Sequence, residues 1–134
     1  MIVVSGCLAG ISCKYNGTDS TDENVLELVR QGKAIPVCPE QLGGLPTPRP
    51  CCELFEGRVV TTLGIDVTEQ FLKGAEEGLR LAKLVGAEKA ILKSRSPSCG
   101  CGKIYDGTFS GKLITGDGLF AVMLKKNGIK VESI

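Results

Sequence analysis

Histidine is absent from the 134 residues of this chain. Its absence excludes Cys–His and Ser–His nucleophile pairs and every metal site that needs an imidazole ligand. Aromatic residues make up only 4% of the sequence, and the net charge is +1. We therefore expect no nucleic-acid partner, because proteins that bind nucleic acids use basic surfaces and aromatic stacking platforms.

Long apolar runs are also missing: no stretch approaches the roughly 18 apolar residues of a membrane span. The first residues, MIVVSGC, have neither the charged region nor the long apolar region of a signal peptide. We expect a cytoplasmic protein with no membrane partner, in a compartment where thiols stay reduced. The chain has seven cysteines, an odd number that argues against a purely structural disulfide framework. Metal binding or thiol redox chemistry is then the leading interpretation.

Short apolar segments alternate with amphipathic ones along the chain. Thr68 and Asp117 are predicted N-caps of the second and third helices, and the proline-rich segment 39–52 is predicted to be an irregular loop. This alternation predicts an α/β fold: one Rossmann-like domain over residues 1–134, with a mostly parallel sheet and helices on both faces. Strands are predicted at 1–5, 34–38, 58–62, 89–93 and 129–131, and helices at about 22–31, 68–85 and 117–127.

Three cysteines follow apolar strands at their carboxyl ends: Cys7, Cys38 and, after a short polar loop, Cys99. If these strands are parallel and adjacent, the three thiols converge at the sheet edge where open α/β folds bind their ligands. Soft thiolates select zinc, copper(I) or iron–sulfur clusters. The absence of any CxxC pair disfavours ordinary zinc ribbons, and a cysteine followed by proline, as at Cys38, occurs in iron–sulfur ligand runs. The pattern favours an iron–sulfur cluster.

The remaining cysteines have less distinctive positions. Cys13 lies in the loop after the first strand, and Cys101 is a spare or alternate ligand in a glycine-rich setting. Cys51 and Cys52 are adjacent and poorly suited as joint ligands, so we interpret them as small buried hydrophobic residues. No glycine motif matches a dinucleotide-binding or Walker pattern, which disfavours nucleotide binding.

Four segments together resemble a short bacterial protein family that includes the thiouracil desulfurases. The resemblance extends over nearly the whole chain, and the second segment is the most specific. The segments are SGCLAG at 5–10 with CKY at 13–15, PVCPEQLGGLPTPR at 36–49, SRSPSCG at 94–100 and IYDGTFSG at 104–111.

This resemblance implies an oxygen-sensitive [4Fe–4S] cluster held by three cysteines, with one open iron site. The open iron would act as a Lewis acid on a small thiolated pyrimidine, a base or nucleoside, and release sulfide without net redox change. We expect Cys7, Cys38 and Cys99 to be the ligands. Cys13 is the main rival for a ligand position, or else a thiol that takes part in catalysis.

Glu40 and Ser98 are the other candidate catalytic residues. Glu40 follows Cys38 by two residues and can serve as the base for an attacking water, while Ser98 can donate a hydrogen bond or relay a proton. Glu40 can instead form a loop salt bridge to Arg49 or Arg95. Ser98 can equally be a turn-forming hydroxyl.

Two other functions fit the surplus cysteines. One is a non-enzymatic iron–sulfur or metal carrier, in which Cys101 would close the open iron site. The other is a thiol redox protein that uses Cys51, Cys52 or Cys101. If the substrate is a base or nucleoside, the candidate stacking residues are Tyr15, Tyr105 and Phe109.

Overall fold

The computed structural model describes all residues, 1–134, and contains eight strands and four α-helices. The strands are β1 (Ile2–Ser5), β2 (Ala34–Val37), β3 (Cys52–Phe55), β4 (Arg58–Thr61), β5 (Lys89–Leu92), β6 (Lys103–Tyr105), β7 (Leu113–Thr115) and β8 (Lys130–Ser133). The helices are α1 (Glu23–Arg30), α2 (Pro39–Leu42), α3 (Thr68–Leu84) and α4 (Leu119–Lys126).

A four-stranded sheet in the order β2-β1-β5-β8 forms the centre of the molecule, and all of its strand pairs are parallel. One face packs Val3 and Leu92 against apolar side chains of α3 and α4. The other face packs Val4 and Ile91 against α1. Because side chains alternate along a strand, the apolar runs of β1 and β5 supply both faces. The predicted α/β fold with a mostly parallel sheet and helices on both faces is confirmed.

Two of the predicted helix caps are wrong by one residue. Helix α3 starts at Thr68 itself, whose Oγ1 accepts a hydrogen bond from the backbone N–H of Val59 instead of capping the helix. At α4 the cap position is Gly118. The Asp117 carboxylate accepts a hydrogen bond from the backbone N–H of Gly102 at 2.7 Å and pairs with Lys125 at 2.8 Å. Both side chains tie the helix ends to neighbouring segments.

The segment 39–52 was predicted to be an irregular loop, and this prediction is wrong for its first residues, which form the short helix α2. Pro39 is the first residue of this helix, where its missing N–H costs nothing. Helix α2 packs closely on α3 through two glycines. A Cβ atom on Gly43 would lie 1.9 Å from the carbonyl oxygen of Gln70, and one on Gly74 would lie 1.7 Å from that of Pro39. Only glycine at both positions permits this approach.

Two antiparallel hairpins, β3-β4 and β6-β7, lie outside the central sheet. Of their four strands only β4 was predicted from the sequence. Strands β6 and β7 have three residues each, and Ile104 is their only buried residue, so they show no apolar periodicity. No helix has the length and apolar composition needed to cross a membrane.

Candidate metal centre

A cavity of about 620 Å³ opens where β1, β2 and β5 end. These three strands are adjacent, in the order β2-β1-β5. Their carboxyl ends therefore bring together loops that are far apart in the sequence. The cavity walls include four cysteines and an ion-paired glutamate and arginine. These residues are Cys7, Cys13, Cys38, Cys99, Glu40 and Arg49.

The four thiols form one group at the cavity wall. Cys13 is close enough to Cys7 and Cys38 to shift the pKa values of both thiols, and Cys99 interacts electrostatically with Cys7 and Cys38. The Cys38 thiol also lies 3.8 Å from the backbone carbonyl of Cys13. Cys7, Cys13 and Cys99 are buried, and all four are free thiols. The structure thus brings Cys13, the rival ligand, to the same cavity wall as the three cysteines that the sequence singled out for this edge.

The pKa values of these thiols are shifted in opposite directions. The contact with Cys13 lowers the pKa of Cys7, whereas the same kind of contact, together with burial, raises the pKa of Cys38. The hydrogen bond with Cys38 lowers the pKa of Cys13, but the bond with Cys7 and burial outweigh it and raise that pKa to about 11. Burial raises the pKa of Cys99 to about 12. Thiolates this close together need a bound cation to neutralise them.

The all-thiol donor set suits an iron–sulfur cluster. In an iron–sulfur cluster each cysteine binds a different iron, so the ligand sulfurs are spread over a wider space. The soft all-thiol donor set agrees with such a group. Cys38 directly follows β2, Cys7 follows β1 by two residues, and Cys99 lies in the loop after β5; all three line the cavity.

Glu40 lies at the cavity beside the thiols and forms an ion pair with Arg49. The Nε atom of Arg49 is 3.0 Å from Oε1 of Glu40. Of the two arginines considered from the sequence, the partner is thus Arg49 and not Arg95. Burial raises the pKa of Glu40, and the Arg49 guanidinium partly opposes the shift. The second carboxylate oxygen, Oε2, has no hydrogen-bond partner in the protein and is not sealed from the cavity.

Arg49 also binds three backbone and side-chain oxygens around Glu40. Its Nη2 atom donates to the Cys13 carbonyl at 2.8 Å, and its Nη1 atom donates to the Pro46 carbonyl at 3.2 Å and to Thr47 Oγ1 at 2.9 Å. The guanidinium fork therefore fixes the loop after α2 against the loop that contains Cys13.

Ser98 lies behind the cavity wall and not on it. Its side chain is completely buried, and its Oγ is the only sealed side-chain polar atom without a hydrogen-bond partner. The hydroxyls of Ser5 and, to a smaller extent, Ser98 are close enough to Cys99 to oppose part of the rise in the pKa of that thiol. Ser96, and not Ser98, forms the turn, because its Oγ accepts hydrogen bonds from the backbone N–H groups of Ser98 and Cys99. Ser98 therefore lies near Cys99 and does not line the cavity.

Comparison with known proteins identifies the family of this chain. The profile of the family described as 2-thiouracil desulfurase matches residues 2–133. The chain belongs to the 2-thiouracil desulfurase family. This membership confirms the resemblance seen in the sequence segments.

Two relatives of this 2-thiouracil desulfurase family protein match nearly its full length. The uncharacterized protein YbbK of Bacillus subtilis (strain 168) is 48% identical, over 99% of this chain and 95% of YbbK. A solved structure named "[4Fe-4S]-dependent thiouracil desulfidase TudS" superposes with a TM-score of 0.94 and is 43% identical, covering 98% of this chain and 89% of TudS. The fold is therefore shared with a thiouracil desulfidase.

The surplus cysteines of this family member lie apart from the four-thiol group. Cys101 does not line the cavity; it lies near Asp117 and Lys125. Cys51 and Cys52 do line the cavity. The charges that act on them come from Glu40, Glu53 and Arg49, and for Cys52 also from Cys51, and not from the four thiols. Cys52 is buried, as expected of a small hydrophobic residue, whereas Cys51 is partly exposed.

Two residues of the site were missed or undervalued in the sequence. Glu53 is a cavity-lining carboxylate on β3, a strand that the sequence did not predict. The sequence indicated Arg49 only as a salt-bridge partner of Glu40. Its place at the end of the specific segment 36–49 was a signal that it also binds neighbouring loops, as its hydrogen bonds to Cys13, Pro46 and Thr47 show. Tyr15, Tyr105 and Phe109, the candidate stacking residues, all line the cavity.

Proposed function

We propose that this protein is a [4Fe–4S]-dependent desulfidase that replaces the sulfur of a small thiolated pyrimidine with oxygen. The observation that supports the proposal most strongly is the group of four thiols at the cavity, with the Glu40 carboxylate beside it. Family membership and the likeness to TudS agree with it. The overall reaction is thiocarbonyl plus water giving carbonyl plus hydrogen sulfide, so it needs no external oxidant or reductant.

Cys7, Cys38 and Cys99 are the proposed cluster ligands. A cluster with one iron free of protein ligands supplies a Lewis acid that draws electron density from the thiocarbonyl sulfur. Cys13 contacts two of the three ligand thiols, and its own sulfur is buried. We assign it to orienting those thiols by hydrogen bonding. Ser98, with a buried Oγ beside Cys99, donates a hydrogen bond to that sulfur once it is ionised.

Glu40 is the proposed general base. Its Oε1 is held by Arg49, which leaves Oε2 at the cavity to accept a proton from water as that water attacks the thiocarbonyl carbon. The protonated carboxyl then returns this proton to the departing sulfur. As the carbonyl forms, the hydroxyl group on the carbon gives its remaining proton to the Glu40 carboxylate, which passes it on to the released HS⁻, so both protons of the water end on hydrogen sulfide. The Arg49 contact fixes the carboxylate direction, which is the geometric requirement for this transfer.

The cavity also has partners for a planar ring. Phe109 lines it and is 38% exposed, so part of its side chain is available for contact with a substrate. Tyr15 and Tyr105 line the same cavity and offer further apolar surface. Stacking on such side chains contributes about 1–3 kcal/mol per base in nucleic-acid complexes. A pyrimidine therefore has both a soft-metal partner for its sulfur and apolar partners for its ring.

The experiment that tests this function measures iron and acid-labile sulfide after anaerobic reconstitution and follows the electronic spectrum as 2-thiouracil is added. We expect matched iron and sulfide contents, a spectrum that shifts with substrate, and release of sulfide with formation of uracil. A cluster whose spectrum ignores the substrate would instead support a carrier. The position of Cys101 outside the cavity argues against that alternative, since Cys101 was the candidate to close the open iron site.

A further inference from the structure

Glu53 is a buried carboxylate that the proposed mechanism does not use. Its residue exposure is 6%, and it lines the cavity from strand β3, the hairpin strand that begins at Cys52. It forms no ion pair with any lysine or arginine. A buried carboxylate without a cation is costly unless its oxygens accept hydrogen bonds.

One oxygen of Glu53 is fully engaged by the opposite loop. Its Oε1 accepts hydrogen bonds from the backbone N–H groups of Gly107 at 3.0 Å and Phe109 at 3.1 Å. Phe109 has a φ of 57°, a left-handed conformation that is unfavourable for an aromatic residue. Glu53 thus holds the backbone of the loop that brings Phe109 to the cavity.

The other oxygen of Glu53 has no partner in the protein. Its Oε2 accepts no hydrogen bond. Ser98 Oγ is the only solvent-inaccessible side-chain polar atom that lacks a hydrogen-bond partner, so Glu53 Oε2 keeps some solvent exposure. Glu53 lines the cavity and its Oε1 is already occupied, so Oε2 is the carboxylate oxygen free to accept a hydrogen bond from a molecule bound there. A carboxylate oxygen is an acceptor only, so the group that completes it must be a donor.

We propose that Glu53 is a specificity-determining residue, whose Oε2 accepts a hydrogen bond from a ring N–H of the thiolated pyrimidine. This inference rests on the proposed function and adds the group that recognises the substrate ring. In 2-thiouracil both ring N–H groups flank the thiocarbonyl carbon, so a donor is present on either side of the reacting atom. The carbonyl oxygen of the same ring would be repelled by the carboxylate, which favours one orientation of the ring.

The choice of an N–H donor has a clear consequence for substrate selection. A site built to bond a substrate N–H strongly rejects an analogue that lacks it, because its own acceptor is then left buried and unpaired. Replacing one N–H by N–CH₃ should therefore be penalised by the native protein. The penalty should depend on the charge of Glu53 and not only on the added bulk of the methyl group.

The test compares the reconstituted protein with Glu53→Gln on 2-thiouracil and its 1-methyl and 3-methyl derivatives. Glutamine has the same shape, and its amide oxygen can still accept from Gly107 and Phe109 while its NH₂ group faces the cavity. We expect kcat/KM for 2-thiouracil to fall about 10- to 100-fold, as for the loss of a hydrogen bond to a charged group. For the derivative methylated at the N–H that Glu53 binds, we expect kcat/KM to change little. The preference of the protein for 2-thiouracil over that derivative therefore disappears in Glu53→Gln. Glu76→Gln, an exposed change on α3, is the matched control and should alter nothing.

Several outcomes overturn the inference. An equal loss for all three compounds means that Glu53 only supports the loop. Unchanged discrimination means that methyl bulk alone excludes the analogues. If the native protein releases no sulfide, the proposed function fails, but calorimetric binding of uracil still decides the role of Glu53. If Glu53→Gln binds uracil at least about tenfold more weakly than the native protein, the proposed role of Glu53 is supported. If both proteins bind uracil equally, or if neither binds it detectably, that role is refuted.

Discussion

The guanidinium of Arg49 holds the carboxylate of Glu40 at 3.0 Å while the Arg49 side chain is 3% exposed. The same guanidinium binds the backbone carbonyl of Cys13 at 2.8 Å. One side chain therefore connects the proposed base to the loop of the thiol group. This arrangement explains how a carboxylate on a four-residue helix can keep a fixed direction at the cavity.

Loss of Arg49 should destabilise the protein far more than loss of an exposed arginine. In Arg49→Met, the Glu40 carboxylate stays buried without its cation, and removing one partner of a buried pair costs about 3–5 kcal/mol. The matched control is Arg58→Met, which removes the exposed Arg58–Asp66 pair and should change the free energy of unfolding little. Urea denaturation under anaerobic conditions measures both. If both substitutions change the free energy of unfolding equally, burial of the Arg49–Glu40 pair does not determine its contribution to stability.

Glu40→Gln should slow the reaction while leaving the cluster intact. Glutamine keeps the size of the side chain and can accept from Arg49, but it cannot take a proton from water. We expect kcat to fall about 10²- to 10⁴-fold, the usual contribution of general base catalysis. Iron and acid-labile sulfide should match the native protein. Glu88→Gln, an exposed change, is the control. Full activity of Glu40→Gln with normal iron content would remove Glu40 from the mechanism.

The sequence predicted the position of the thiols well because that prediction depends on topology. Apolar strands followed by Cys7 and Cys38 are visible in a single sequence, and parallel pairing brings their ends together. The neighbours of the thiols were harder to predict. The partner of Glu40 is nine residues away, across a proline-rich loop whose course depends on tertiary contacts. Glu53 lies on β3, a four-residue strand whose sequence shows no clear alternation of apolar and polar residues. The burial of Glu53 could therefore not be predicted from the sequence.

Serine substitutions should separate the ligands from the other cysteines. A hydroxyl is a poor replacement for a soft thiolate, so Cys7→Ser, Cys38→Ser and Cys99→Ser should each lose most of the iron and acid-labile sulfide after reconstitution. Cys101→Ser should keep both, because Cys101 does not line the cavity.

Cys13→Ser decides between the two assignments of Cys13. If Cys13 orients the ligand thiols, its serine variant should keep the iron, and the cluster spectrum should shift because the contacts to Cys7 and Cys38 change. Loss of iron from this variant, with iron retained by one of the three proposed ligand variants, would move Cys13 into the ligand set.

Gly74→Ala should damage the site through the contact between α3 and α2. Alanine normally stabilises a helix relative to glycine by about 1 kcal/mol, so an open position would gain stability. Here the new Cβ would lie 1.7 Å from the Pro39 carbonyl oxygen, which pushes away the helix that contains Glu40. We expect a loss of about 1–3 kcal/mol in the free energy of unfolding, as for other overpacked positions, together with lower kcat.

The control for this substitution is Lys73→Ala, which is adjacent and exposed on the same helix. It should leave stability and kcat nearly unchanged. The sign of the Gly74→Ala effect is decisive, because helix propensity and close packing predict opposite changes. A more stable Gly74→Ala protein with normal kcat would mean that α2 can move away from α3 without disturbing Glu40, and that this close contact does not position the base.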